Sequence, residues 1–141
     1  MRKKSRAAAV GTTAVASILL GAGLAMAATS GTFNLAVSGA SASGSYYYDV
    51  HPSGTSYTGT GIQYVGTLRN TGTTDAQSAY FYAQVEGYGY SQLAKAAPRT
   101  NASFNRVLYD GAARYVRYSK AQVCRDRTVL GQSCQVGTYN R

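Results

Sequence analysis

Apolar and polar side chains alternate along much of the chain after residue 30, and this two-residue period constrains the fold more than any other feature. In segment 79–86, Phe81 and Val85 share one face, and Tyr80 and Tyr82 share the other. A period of two is typical of β-strands with one buried face. Because Phe81 and Val85 share a face, we expect that face to be buried and Tyr80 and Tyr82 to point outward.

The same alternation recurs in segments 33–37, 62–69 and 115–124. Only Ser91–Ala97 is compatible with a helix, and it is too short to nucleate one alone. We count about seven or eight strands at a spacing of roughly 10–15 residues, which predicts an all-β fold. The expected architecture is an antiparallel β-sandwich or an open barrel.

Turn-forming residues separate the predicted strands. They occur at His51–Gly54 and Asn70–Asp75, and a further pair, Asp110-Gly111, lies between segments 104–109 and 112–124. Asp-Gly favours the tight turn of a β-hairpin. The sequence therefore predicts that these last two segments pair with each other.

The first 27 residues have the three parts of a secretory signal peptide. The first six residues include four basic ones, an apolar stretch runs from Ala7 to Leu24, and Ala25-Met26-Ala27 resembles a cleavage site. The core from Val10 to Leu24 is shorter than the ~20 strongly apolar residues that a spanning helix needs. We expect cleavage after about Ala27 and a secreted, extracellular protein, rather than an N-terminal membrane anchor.

After this predicted signal peptide, the chain is long enough for one domain. Residues 28–45 are mostly small and polar, which predicts a flexible N-terminal segment with a possible first strand and a flexible connection at 38–44. The sandwich domain is predicted to span 46–141. No later hydrophobic stretch is long enough to cross a bilayer, so we expect no transmembrane segment in the mature protein.

Positive charge is concentrated in the C-terminal third. Without the first 27 residues, ten Lys and Arg remain against five Asp and Glu, a net charge of +5. Nine of the ten basic residues lie between Lys95 and Arg141. This distribution favours an anionic partner, although a basic surface also simply keeps a small domain in solution.

The chain contains two cysteines, Cys124 and Cys134. An even number of cysteines in an exported chain predicts a disulfide, here between the last two strands. A metal site is the competing interpretation, but two cysteines and the distant His51 cannot supply four ligands at typical spacing.

The segment from Val123 to Cys134, behind a strand such as Ala79–Gly89, resembles small exported proteins of actinobacteria. That resemblance implies a β-sandwich with one C-terminal disulfide and an extracellular location, but no activity. A second similarity, through Tyr46-Tyr47-Tyr48 and His51-Pro52-Ser53, is to lactococcin-type secreted bacteriocins. Those peptides are usually shorter and lack this cysteine pair.

Catalytic groups are sparse. His51 is the only histidine, it lies in a predicted turn, and no serine has the Gly-x-Ser-x-Gly context of a hydrolase nucleophile. Nothing indicates the two closely held carboxyl groups of a glycosidase. We therefore expect no enzymatic activity, no cofactor and no metal.

Binding is the more plausible function, because outward tyrosines can stack on sugar rings and basic residues attract anions. The expected partner is an anionic glycan or cell-wall polymer, and nucleic acid is not expected outside the cell. Alternatively, the outward tyrosines pack against a neighbouring sheet or loop. The candidate binding residues are Tyr80, Tyr82, Arg114, Lys120, Arg125 and Arg127.

Two further expectations concern the basic segment. Because a strand does not bury charge cheaply, the strand with Arg117 and Lys120 should be an edge strand or hold its charges at the rim. The alternative function is a secreted antagonist, a bacteriocin-like toxin or a hydrolase inhibitor, with Arg125–Ser133 as an exposed loop braced by the disulfide.

Overall fold

Strands make up most of the described chain. The computed structural model describes residues 30–51, 61–73, 77–109, 116–127 and 131–141, so the predicted signal peptide lies outside the described residues. None of the described residues belongs to a helix long and apolar enough to span a bilayer. The strands are β1 (Ser30–Val37), β2 (Ala40–Val50), β3 (Gly61–Asn70), β4 (Ala79–Val85), β5 (Ser91–Ala96), β6 (Asn101–Tyr109), β7 (Tyr118–Arg127) and β8 (Gly131–Asn140).

The strands form two four-stranded antiparallel sheets. Sheet 1 has the order β1-β2-β3-β6, and sheet 2 has the order β5-β4-β7-β8. Alternate residues of both sheets point inward and bury a common core between them. The predicted all-β sandwich is confirmed, with eight strands in the described residues.

A row of four residues across sheet 1 organises this core. Phe33, Gly44, Gly66 and Phe104 lie side by side on β1, β2, β3 and β6. Phe81 of sheet 2 stacks on both Phe33 and Phe104, with ring centroids 5.2 and 4.6 Å apart. A Cβ at Gly66 would lie 2.9 Å from the Phe33 ring and 3.1 Å from the Phe104 ring, so Gly66 leaves space for both rings, whereas a Cβ at Gly44 would meet the backbone of Val65 on β3.

A buried chain of hydrogen bonds joins the two sheets. The Tyr64 and Ser119 hydroxyl oxygens are 2.7 Å apart, and Ser119 donates to the Gln84 carbonyl oxygen at 2.6 Å. Because a serine hydroxyl has one proton, Tyr64 must be the donor to Ser119. These hydrogen bonds thus satisfy the hydroxyl groups of Tyr64 and Ser119, which are buried away from water.

Asn70 makes a second polar link, at the end of β3. Its side-chain amide donates to the carbonyl oxygens of Gln77 and Ala96, at 2.8 and 3.2 Å. Its side-chain oxygen accepts from the backbone N–H of Gly72 at 3.1 Å. Asn70 is buried, and these bonds hold the chain after β3 against β5 in the other sheet.

The predicted hairpin at Asp110-Gly111 is wrong. β6 pairs with β3 in sheet 1, whereas β7 pairs with β4 and β8 in sheet 2. The chain therefore passes from one sheet to the other between Tyr109 and Tyr118, and Asp110 and Gly111 lie outside the described residues. A turn dipeptide favours a local backbone geometry but does not choose the sheet that the next strand joins.

The N-terminal part of the sandwich also differs from the prediction. β1 contains the possible first strand that the alternation at 33–37 predicted, but the flexible connection expected at 38–44 reduces to the turn Ser38-Gly39 before β2 begins at Ala40. Gly39 has a positive φ of 80°, which glycine adopts without steric cost. The small residues Ala40 and Ala42 are buried in the core rather than exposed in a linker.

Two other elements differ. The helix-compatible segment Ser91–Ala97 contains strand β5, because pairing with β4 overrides a weak local preference. The strand β7 is not an edge, since β4 and β8 flank it on both sides. The side chain of Lys120 points outward from this central strand, and Arg117 precedes it.

Candidate binding face

The alternating side chains of β4 place two tyrosines on the outward face of sheet 2. Phe81 and Val85 are buried in the core, and Tyr80 and Tyr82 are half-exposed on the other side of the strand. This orientation agrees with the one that the sequence predicted. The two tyrosines therefore present ring surface outside the sandwich rather than within it.

Neighbouring side chains fix the position of the two rings. Tyr80 stacks on Tyr82 with centroids 5.9 Å apart and planes inclined by 21°, and Lys95 Nζ lies 5.5 Å from the Tyr80 centroid. The Tyr80 hydroxyl donates to Asp126 Oδ2 at 3.2 Å, and Gln132 Nε2 donates to Asp126 Oδ1 at 3.1 Å. Lys95 and Asp126 thus hold Tyr80, and Tyr82 is held by its stacking on the Tyr80 ring.

A second lysine lies on the other side of the pair. Lys120 of β7 points outward, with its Nζ 5.8 Å from the centroid of the Tyr118 ring. Lys95 lies opposite Tyr80 of β4, and Lys120 lies opposite Gln84 of β4. The two lysines are therefore separated by two strand spacings across the sheet and by four residues along it. At ordinary strand spacings, this corresponds to about 17 Å between their Cα atoms.

We call the outward side chains of Tyr80, Tyr82, Lys95, Lys120 and Gln122 the tyrosine–lysine face. Neither lysine forms an ion pair with a carboxylate of the described residues. The sequence missed Lys95 because β5 was the segment compatible with a helix, so the face that Lys95 occupies could not be assigned.

The predicted disulfide between Cys124 and Cys134 is present and lies on this side of sheet 2. The two cysteines are directly opposite each other on β7 and β8, with Cα atoms 4.1 Å apart, and Cys124 is also opposite Tyr80 on β4. Cys124 is buried, whereas Cys134 is exposed. The bond therefore links β7 and β8 covalently within their ladder, next to the tyrosine pair.

Arg125, which the sequence placed among the binding candidates, points toward the end of the sandwich instead. Its guanidinium donates to the Ser38 carbonyl oxygen at 3.2 Å, and its Nε is buried without a hydrogen-bond partner in the described chain. A Cβ added to Gly39 or Gly72 would lie only 2.3 or 1.8 Å from a guanidinium nitrogen. Arg125 thus packs between two glycine turns.

The other arginines lie apart from the tyrosines. Arg127 is exposed at the end of β7, and Arg114 lies outside the described residues. Arg117 donates from its backbone N–H and its guanidinium to the Glu86 carboxylate, which holds the pKa of Glu86 below its usual value. Of the predicted basic candidates that the structure describes, only Lys120 lies on the same face of sheet 2 as Tyr80 and Tyr82.

Each of the described side-chain carboxylates forms an ion pair or accepts hydrogen bonds within the sandwich. Asp49 forms an ion pair with Arg141, Glu86 with Arg117, and Asp126 accepts the hydrogen bonds from Tyr80 and Gln132. Within the described ranges, no three His, Cys, Asp or Glu residues gather in a group that could hold a metal.

The outward face of sheet 1 has a different chemistry. A shallow, open depression of about 490 Å³ lies between β3 and β6, where Val65, Thr67, Ser103 and Asn105 line it with short polar and apolar groups. None of the described residues that line this depression is a cation, and Phe104 is the one aromatic residue among them. It is less suited to an anionic partner than the tyrosine–lysine face.

Comparison with protein-family models, with curated proteins and with solved structures finds no match to this chain.

Proposed function

We propose that this is a secreted, non-catalytic β-domain that binds an anionic extracellular or cell-wall polymer on the tyrosine–lysine face. The observation that carries the proposal is the stacked pair Tyr80–Tyr82, half-exposed between two lysines that pair with no described carboxylate. The signal-like N-terminus and the predicted mature charge of +5 support an extracellular, anionic partner.

The tyrosines supply the apolar part of such a site. Aromatic faces stack on the C–H surface of sugar rings as they do on bases, where each contact contributes about 1–3 kcal/mol. Tyr80 loses little freedom on binding, because Lys95 and Asp126 already hold its ring and hydroxyl. An ordered ring of this kind lowers the entropic cost of binding.

The lysines supply the charge. A lysine ammonium is a compact charge with three donors, and it suits the carboxylate, phosphate or sulfate groups of a repeating polymer. Lys95 is exposed and Lys120 is half-buried, so both remain in contact with solvent. Their contribution should therefore weaken as salt screens it, over a Debye length of about 8 Å at physiological ionic strength.

No observation among the described residues favours the alternative of a secreted antagonist. An inhibitor loop has to present unpaired, extended backbone, but Arg125, Asp126 and Arg127 pair with Ser133, Gln132 and Gly131 in the β7–β8 ladder. The predicted bait segment is thus mostly paired strand, and residues 128–130 lie outside the described chain.

The test measures retention of the oxidised protein, purified from an exporting host, on isolated bacterial cell walls and on polygalacturonate, with neutral dextran as the reference. We expect Lys95→Gln combined with Lys120→Gln to weaken binding about tenfold and to reduce its salt dependence. Tyr82→Ala should weaken binding by a similar factor and leave the salt dependence unchanged.

The matched control is Arg69→Gln combined with Arg106→Gln. This pair removes the same charge from exposed positions of sheet 1, so its retention should stay near that of the unaltered protein. If the lysine double variant and the arginine double variant lose retention equally, the effect comes from net charge alone. If the lysine double variant is retained as strongly as the unaltered protein, the proposed site is wrong.

A further inference from the structure

The strand β8 is the least protected edge of the sandwich in the described chain. It has ten residues, pairs with β7 without a register shift, and contains neither a charged residue nor a proline. Long, flat and uncharged edges are templates for pairing with another strand, and proteins usually interrupt them. The other three edges each carry such an interruption.

Each of the other three edge strands is protected by a different feature. β5 has only six residues, a register shift against β4, and the exposed Lys95. β6 carries the exposed Arg106. On β1, the backbone N–H of Ala36 donates to Gln135 Oε1 at 2.6 Å, so a side chain from β8 occupies this edge.

The disulfide shows which backbone groups of β8 are free. Directly opposite residues of antiparallel strands have their Cα atoms about 4.5 Å apart when they do not exchange hydrogen bonds and about 5.5 Å apart when they do. The 4.1 Å between Cys124 and Cys134 therefore marks a pair whose N–H and C=O groups point away from each other. Because the register is regular, the residues with backbone groups directed away from β7 are Gln132, Cys134, Val136, Thr138 and Asn140.

We propose that β8 pairs in antiparallel fashion with β8 of a second copy of this chain, about a twofold axis at Val136. Val136 is the middle residue of the free set, and its side chain is 51% exposed. The twofold axis places Val136 against its own copy, Cys134 against Thr138 of the second copy, and Gln132 against Asn140 of the second copy. The strand is thus complementary to itself in both backbone and side chains.

The charge distribution favours a second copy as the occupant. The protein is basic, but β8 contributes no charge, so the two copies meet without like charges in the paired strands. Antiparallel pairing about a twofold axis also closes after two copies and does not propagate. An extended peptide from another protein could pair with the same backbone N–H and C=O groups of β8. The experiment below distinguishes such a peptide from a second copy.

Pairing would join the two copies of sheet 2 into one continuous sheet. The twofold axis runs perpendicular to the sheet, so both tyrosine–lysine faces would lie on the same side. The two β4 strands would be five strand spacings apart, about 24 Å. A long polymer could then contact both faces and gain avidity, and only this consequence rests on the proposed function.

The experiment measures the mass of the oxidised protein, expressed as the full chain in an exporting host, by light scattering and sedimentation equilibrium without any polymer. We expect a dimer at about 100 μM. Thr138→Pro removes one free N–H and leaves the β7–β8 bonds intact, so it should raise the dimer dissociation constant at least about tenfold. Thr138→Ala keeps the N–H and should remain dimeric.

A monomeric unaltered protein at about 1 mM would overturn the proposal. So would a Thr138→Pro variant that associates as strongly as Thr138→Ala, or a dimer that contains a co-purified peptide instead of a second copy. If Thr138→Pro fails to fold, Val136→Lys gives the same test, because it brings two like charges together on the axis. Because no polymer is present, failure here leaves the polymer-binding test unaffected.

Discussion

At the scale of single residues, two glycines in the middle of sheet 1 allow the core to form. Glycine is normally unfavourable inside a strand, because it loses more backbone entropy and offers no side chain to pack. Here Gly44 and Gly66 lie side by side between Phe33 and Phe104. A Cβ at Gly66 would lie 2.4 Å from the Ser43 carbonyl oxygen and 2.9 Å from the Phe33 ring.

We expect Gly66→Ala to lower the free energy of unfolding by about 1–3 kcal/mol, the range for overpacked cores, because backbone on β2 would have to shift. Urea unfolding monitored by tyrosine fluorescence measures the change. Gly89→Ala is the matched control, since an added Cβ at Gly89 meets no atom within 4 Å. Equal stability of the two variants would show that the core has room at Gly66.

At the scale of elements, the β7–β8 pair combines a complete ladder with a covalent bond. The ladder runs from Tyr118 opposite Asn140 to Arg127 opposite Gly131, and the disulfide lies within it rather than across a loop. Because hydrogen bonds already fix the register, the disulfide should add stability without being required for the strand pair to form.

We expect the double substitution Cys124→Ala and Cys134→Ala to fold with the same circular dichroism and to lose roughly 2–3 kcal/mol of unfolding free energy. That figure follows from the chain entropy of a ring of about 11 residues. Denaturant unfolding with and without a reducing agent measures it, and the reductant should not affect the double variant. A double variant that does not fold would show that the disulfide directs the topology as well.

At the scale of the whole molecule, buried tyrosine hydroxyls connect the sheets. Tyr64 bonds Ser119, and the Tyr48 hydroxyl donates to the Tyr139 carbonyl oxygen at 2.6 Å. Burial is the main reason that the pKa values of Tyr48, Tyr64 and Tyr139 are raised above their ordinary value. The interface between the sheets thus depends on phenols that stay protonated.

Stability should therefore fall in alkali. Above the unfolded pKa of about 10, the unfolded tyrosines lose protons that the folded ones keep, so each buried phenol lowers the unfolding free energy by up to about 1.4 kcal/mol per pH unit. The contribution is fully present below pH of about 10 and is lost as the pH rises toward the raised folded values. Urea unfolding at a series of pH values measures the slope.

Tyr64→Phe should make that slope shallower, because it removes one of the buried phenols whose pKa is raised. A slope that is the same in the Tyr64→Phe variant would mean that other groups cause the alkaline loss.

The sequence by itself determined the all-β class, the direction in which Tyr80 and Tyr82 point, and the pairing of the two cysteines. These features depend on local patterns: a strand sends alternate side chains to opposite faces, so Phe81 decides where its neighbours point. Because the sequence contains two cysteines, each is the only possible disulfide partner of the other within the chain.

Only the tertiary structure decided which strands share a sheet and which side chains share a face. The sheet that β7 joins depends on packing against β4 and β8, which a turn such as Asp110-Gly111 does not encode. Lys95 reaches Tyr80 only through the pairing of β4 with β5, and Arg125 turns toward Gly39 and Gly72 only because the two sheets meet there. Such contacts join residues far apart in the chain, and their energies depend on neighbours that no short stretch of sequence contains.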